Sequence, residues 1–325
     1  MLPWLEETCR TLQHAHLEGR LGHALLLQGG AGLGGDWLAH WIAALTQCRE
    51  PHAPCLQCGD CQRVFADQQP DCQWIQPIED SKEIRIEQVR ELAAELALTR
   101  HGRGRKVVTL APADRLNRNA ANALLKTLEE PSAESLLLLV AAHPSRLPAT
   151  VRSRCQLLRL PKPSAAVAIG WLEAQRGAGP WAVVLDIFEG QPLTALDADL
   201  AQVAALARET FAILDGTDGS RLDPLALAES WQRSHYDLRL RVIENWLTKR
   251  LRQAAGAGGE EPEMRLGTHL SYGYKGLNMR QLFGALDATR EARQLAETPI
   301  NKTLVLEKLL WILAGARAAR RAATA

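Results

Sequence analysis

Chemistry in this chain concentrates in two short stretches. In one of them, Cys48-x6-Cys55-x2-Cys58-x2-Cys61 places four thiols within 14 residues. A C-x2-C pair can grip an ion from one tight turn, and here two such pairs overlap through Cys58. Four thiolates satisfy the tetrahedral preference of Zn2+ completely, which leaves no open position for a reacting water. The reading is therefore a structural zinc site, with a redox pair or fortuitous cysteines as the competing readings. Cys9 and Cys72 fall outside the spacing and are expected to be core thiols.

The second stretch is Gly29-Gly30-Ala31-Gly32-Leu33-Gly34-Gly35-Asp36, set between an apolar run and a helical pattern. That is where a phosphate-binding loop of pattern G-x-x-x-x-G-K-[ST] belongs. The frame glycines Gly29, Gly32 and Gly34 are present, but Gly35 stands at the lysine position and Asp36 at the hydroxyl position. The lysine normally neutralises the terminal phosphates and the hydroxyl holds Mg2+. A cation is lost and an anion is gained, so Mg-ATP binding is disfavoured on charge alone. Read by itself, the segment also fits a glycine-rich turn with no nucleotide role. A second loss weighs against that alternative. Active P-loop enzymes end a neighbouring strand with acidic residues that hold the metal and orient water. Here the apolar run Lys106–Leu110 ends in Ala111-Pro112. Two parts of one machine are gone, as in a retired ATPase, and no bound nucleotide is expected.

These segments need a scaffold. The first half alternates short apolar runs with helical patterns, which predicts a parallel sheet covered by helices. Strands are expected at 24–28, 73–76, 106–110, 136–141 and 156–160. Helices are expected from Asp36, over 81–98 with Ser81 as cap and Ile86, Val89, Ala93 and Leu96 inward, and over 119–130. Pro161-Lys162-Pro163 is the best boundary. Three short helices follow at 165–175, 181–189 and 192–196. Longer amphipathic helices come next: one carrying Leu240, Ile243, Leu247 and Leu251 and ending at Gly256–Gly259, then 279–296 and 302–313. The fold class is α/β followed by all-α, with expected domains 1–162, 163–199 and 200–325.

Composition narrows the function classes. With 38 Lys plus Arg against 37 Asp plus Glu, the net charge of +1 argues against nonspecific coating of DNA. The basic runs at Arg100–Lys106 and at Arg317, Arg320 and Arg321 read as solvated surface. The longest apolar run, Leu136–Ala142, is too short to span a bilayer. The first residues lack the basic-then-apolar plan of a secretion signal. A cytoplasmic protein without membrane contact is expected.

At Asn122-Ala123-Leu124-Leu125-Lys126-Thr127-Leu128-Glu129-Glu130-Pro131, followed by Ser153-Arg154-Cys155, the chain resembles the bacterial clamp-loader subunits of the AAA+ superfamily. Together with the four-cysteine insert, the motifs narrow the likeness to the gamma/tau and delta-prime group of DNA polymerase III. Gamma and tau keep the P-loop lysine and the acidic strand end, so this sequence is more similar to delta-prime. The resemblance is close over the first 160 residues and looser beyond.

It implies an AAA+ domain with a zinc insert, a three-helix lid and a helical collar. It implies a hetero-pentameric ring with gamma/tau and delta, acting on a sliding clamp and primer-template DNA within a DNA-directed DNA polymerase (nucleotidyltransferase) holoenzyme. It also implies that Arg154 reaches into the ATP site of a neighbouring subunit, with Ser153 and Cys155 completing the triplet, while this chain hydrolyses nothing itself. Arg152 is a weaker candidate. Two other readings stand beside this one. The first is an active motor subunit of gamma/tau type, with Lys126 reaching the phosphate site. The second is a zinc-dependent nucleic-acid module, in which Arg49 and Arg63 are offset by Glu50 and Asp60.

Overall fold

The computed structural model describes residues 1–78, 81–96, 100, 102, 104–132, 134–216, 223–255, 279–296 and 300–324, with side chains up to residue 314. Five strands form one sheet: β1 (Ala24–Gln28), β2 (Cys72–Ile75), β3 (Lys106–Leu110), β4 (Ser135–Ala141) and β5 (Gln156–Arg159). Their order is β2-β3-β4-β1-β5 and every pairing is parallel. Register aligns Ile75, Leu110, Leu139, Leu26 and Leu157 in one row across the sheet.

Because strand side chains alternate between faces, each apolar run feeds two cores. Leu25, Leu27, Leu136, Leu138 and Val140 face the first, where α1 (Glu6–Leu17) and α2 (Gly35–Gln47) supply Cys9, Leu12, Leu38, Trp41, Ile42 and Leu45. Leu26, Leu110, Leu137 and Leu139 face the second, covered by α4 (Ile86–Leu96), α5 (Arg118–Glu129) and α6 (Ala149–Arg152). Between α2 and β2 lies the short α3 (Gly59–Phe65). Strands buried on both faces read as continuous apolar runs, which is why β1 and β4 are the plainest in the sequence.

The helix expected to be capped by Ser81 begins later, at Ile86. Ile84 is held extended by a bridge to Leu116, so the chain cannot turn helical before it. Ser81 closes a local turn with Glu83 instead, and the Gln88 side chain accepts from the Arg85 N–H at the true start. Val89, Leu92 and Leu96 are the buried residues, while Ile86 and Ala93 are half-buried. The expected end at Leu98 lies outside the described residues.

The chain divides into two compact units, Met1–Gly177 with Gly190–Asp197, and Ala178–Glu189 with Ala198–Ala325. Of the three short helices after Pro163, α7 (Ala165–Arg176) and α9 (Pro192–Leu196) belong to the first unit, and α8 (Trp181–Ile187) to the second. The second unit adds α10 (Leu200–Asp215), α11 (Pro224–Arg233), α12 (Tyr236–Ala254), α13 (Met279–Leu295) and α14 (Lys302–Thr324). Leu240, Ile243, Leu247 and Leu251 all face its core, with Trp231, Leu282, Leu286, Leu306, Leu309 and Leu310. α14 runs past the expected stop at Leu313. The side chains of Arg317, Arg320 and Arg321 and the whole of Gly256–Gly259 lie outside the described residues. Among the described residues, no helix is long and apolar enough to cross a membrane.

Candidate functional site

The glycine-rich loop leaves the end of β1 and enters α2, as its sequence position requires. Its backbone, however, is closed on itself. The Gly34 N–H donates to the Ala31 carbonyl at 2.9 Å and the Gly35 N–H to the Gly30 carbonyl at 2.9 Å. In a working phosphate loop such N–H groups at a helix start point at the anion. Gly34 adopts φ 91°, a left-handed conformation open to glycine. A Cβ on Gly35 would lie 2.8 Å from the Gly30 oxygen and 2.7 Å from a Val140 methyl. The position that carries lysine in an ATPase therefore has no room for a side chain.

The loop is also roofed by its own unit. Trp4 Nε1 donates to the Leu33 carbonyl at 2.9 Å, and the Trp4 ring meets Trp171 of α7 edge-on at 5.3 Å. Gln191, Thr194 and Leu193, at α9, close over Gly32 and Gly34, and Leu2 packs against Gly34 as well. A Cβ on Gly32 would stand 2.3 Å from Gln191 Oε1. Asp36 is half-buried; burial raises its carboxyl pKa, and the charge of His40 opposes that rise. Ala111, at the strand end that carries acidic residues in active P-loop enzymes, is buried, and Asp114 accepts the His143 N–H at 3.0 Å, tying two loops together. Lys126 is exposed on α5, in the layer on the opposite face of the sheet from α2. It makes no approach to the loop.

Cys48, Cys55, Cys58 and Cys61 converge, with all four sulfurs within 4.8 Å of one another. Four sulfurs at about 2.3 Å from a tetrahedral zinc lie about 3.8 Å apart, and Cys48 Sγ to Cys58 Sγ is 3.9 Å. The donor set and spacing fit the ion. Cys48 comes at the end of α2, Cys58 caps α3 and Cys61 sits in its first turn. Leu56, at φ 59°, bends the chain between Cys55 and Cys58. The Cys55 N–H points at Cys48 Sγ at 3.4 Å and the Cys58 N–H at Cys55 Sγ at 3.2 Å. Backbone N–H groups of Gln57 and Cys58 lower the Cys55 thiol to about 7, whereas burial pushes Cys61 up. Arg49 and Arg63 both pair with Asp60, so neither forms a bare basic face. Cys9 is buried in the first core, and burial lifts Cys72 to about 12, as expected of core thiols.

Ser153-Arg154-Cys155 follows α6. The Ser153 hydroxyl closes the turn onto the Thr150 carbonyl at 3.1 Å. Cys155 packs against the second core, where burial raises its thiol to about 11. Between these anchors Arg154 stands partly exposed. Its Nη1 donates to the Thr150 carbonyl at 2.9 Å, and its Nη2 pairs with Glu129 Oε1 at 2.5 Å. Arg152 is exposed on the same turn. Of the basic run, Arg105 is structural, donating to the carbonyls of Leu21, Gly22 and Ser135. Arg100 pairs with Glu134. His101 and Arg103 lie outside the described residues.

Sequence reasoning missed the roof of the loop and the Glu129 partner. Trp4 and Leu2 sit 30 residues or so upstream of the loop, and no local pattern marks such a contact. Glu129 did carry a signal, since two adjacent carboxylates, Glu129 and Glu130, close α5 where the helix dipole favours cations.

Residues 4–164 match the family described as "DNA polymerase III, delta subunit". Over 203 residues the chain is 42% identical to the DNA polymerase III subunit delta' of Pseudomonas aeruginosa, covering 59% of this chain and 60% of that protein. The subunit delta' of Escherichia coli K12 is 38% identical over 177 residues, covering 53% and 52%. The chain thus aligns with between half and two-thirds of the length of these relatives. Among solved structures, a DNA polymerase III gamma subunit-related protein from Thermotoga maritima is similar, with a TM-score of 0.50 at 17% identity over 96% of this chain and 99% of that one. That likeness is one of fold: a parallel five-stranded sheet followed by a helical C-terminal region.

Proposed function

The N-terminal half of this chain belongs to the delta-prime family of DNA polymerase III, and from that premise we propose that it serves a clamp loader as a subunit that assists ATP hydrolysis without performing it. Its neighbours in a hetero-pentameric ring are gamma or tau and delta, and the ring places a sliding clamp on primer-template DNA in the cytoplasm. The observation that carries the non-hydrolysing role is the closed loop: Gly34 and Gly35 spend their N–H groups on Ala31 and Gly30, and no side chain fits at Gly35. The roof of Trp4, Leu2 and α9 supports a rigid domain whose phosphate loop has become packing.

Arg154 is the chemical contribution. A guanidinium delivered from outside meets charge developing on a transferring γ-phosphate, a role worth roughly 10³–10⁵ in rate where measured in GTPases. Placement supports it: Ser153 and Cys155 fix the turn, so Arg154 projects from a rigid base. Cys48, Cys55, Cys58 and Cys61 would hold a structural Zn2+, which cross-links the insert and takes no part in the chemistry.

In a reconstituted assembly, Arg154→Ala should leave folding and ring formation intact and lower clamp- and DNA-stimulated ATPase by tenfold or more, as expected for a trans guanidinium. Unchanged stimulated turnover would remove Arg154 from the mechanism.

A further inference from the structure

Glu129 occupies a place that local helix physics disfavours. It is the last residue of α5, followed by Glu130, and both carboxylates stand where the helix dipole is negative. Departures from local preference without an evident structural gain point to function. The gain here is a specific one: Glu129 Oε1 sits 2.5 Å from Arg154 Nη2, while the Thr150 carbonyl takes Nη1 at 2.9 Å. As an exposed ion pair this contact adds little stability. What it does add is geometry. A guanidinium is a planar fork with five N–H donors. Two of them are fixed on two different elements, α5 and α6, which leaves the others displayed in one orientation.

We infer that Glu129 is a positioning residue for Arg154, holding the guanidinium in a preset orientation for the neighbouring subunit's phosphate. The inference rests on the reading above that Arg154 acts in that site. Pre-orientation lowers the cost of ordering a long side chain at the moment of reaction, and small misplacements of a catalytic group cost large factors in rate. The role is one of hydrogen-bond geometry, so an amide oxygen at position 129 should serve nearly as well as a carboxylate.

The test uses the reconstituted assembly, measuring stimulated ATPase against ATP concentration for Glu129→Ala, Glu129→Gln, Arg154→Ala and the Glu129→Ala/Arg154→Ala double variant, with ring formation checked by gel filtration. Positioning predicts that Glu129→Ala lowers kcat by up to about tenfold with KM unchanged. Glu129→Gln should stay within about twofold of the unaltered protein, and the double variant should match Arg154→Ala alone. Wild-type or raised turnover in Glu129→Ala overturns the inference, since the pair would then be incidental or a competing latch. Equal loss in Glu129→Gln, or a double variant clearly slower than Arg154→Ala, overturns it too. Should Arg154→Ala itself leave turnover unchanged, the reading of Arg154 falls first, and that result is distinct from a loss of effect at Glu129 alone.

Discussion

Gly35 sits where the loop's own backbone and the neighbouring strand leave no space for a side chain. The Gly35 N–H is satisfied by the Gly30 carbonyl, and Val140 occupies the space that a side chain at position 35 would need. Buried polar groups find partners, and a loop without its anion finds them in itself. Gly35→Lys should therefore fail to restore nucleotide binding, and should destabilise the first unit by about 1–3 kcal/mol through overpacking. An ATP titration followed by calorimetry, together with thermal melting, checks both. Micromolar Mg-ATP affinity in the variant would show that the loop is open. The lost charge was legible in the sequence because the pattern names the lysine position. The roof over the loop was not, because it depends on Trp4, Gln191 and Thr194, which are distant along the chain.

At the scale of elements, what holds the working residues is legible where the apolar period is strong and obscure where contacts are polar. β1, β3 and α9 fall where their sequences put them, since an apolar run bounded by turn residues or proline marks its own ends. α4 started late because a single bridge from Ile84 to Leu116 fixed the backbone, and a backbone contact leaves no trace in side-chain pattern. The cysteine insert was readable from spacing alone. A zinc ion held by these four thiols should be a folding element: a strong chelator should release one zinc per chain and unfold the segment around α3, where structural zinc can contribute on the order of 10 kcal/mol. Metal analysis with circular dichroism measures this, and unchanged structure after metal loss would argue against a structural site. In the second unit, α12 and α13 are tied by Glu244, which accepts from Arg290 at 2.9 Å and also pairs with Arg293. Burial by itself raises this carboxyl, but the bonds and charges of the two arginines outweigh it, leaving the pKa below its usual 4.5. A carboxyl depressed by folding stabilises the fold above the unfolded value and loses that contribution as pH falls through the lowered one. Glu244→Gln should cost about 2 kcal/mol at pH 7, and the difference should shrink steadily below about pH 4.5. Denaturant titrations at several pH values decide it, and a difference independent of pH would exclude the linkage.

For the whole molecule, the proposed role is a division of labour. On the proposed reading, the sheet domain carries a self-closed loop in place of a phosphate site, and the exposed guanidinium of Arg154 is what it offers to a neighbour. The family and the fold could be read from the motifs Asn122–Pro131 and Ser153–Cys155, because each needs several residue types in fixed order. How the helices after Pro163 divide between two compact units could not, since equal helical periodicity serves either one. The deciding measurement for this division of labour is ATP turnover of the gamma/tau and delta assembly with clamp and primed DNA, with and without this chain, beside the chain alone. A buffer-level rate is expected for the chain alone, and a rise in stimulated turnover when it joins the assembly. Hydrolysis by the purified chain, or an assembly equally active without it, would exclude a non-hydrolysing subunit that assists its neighbour.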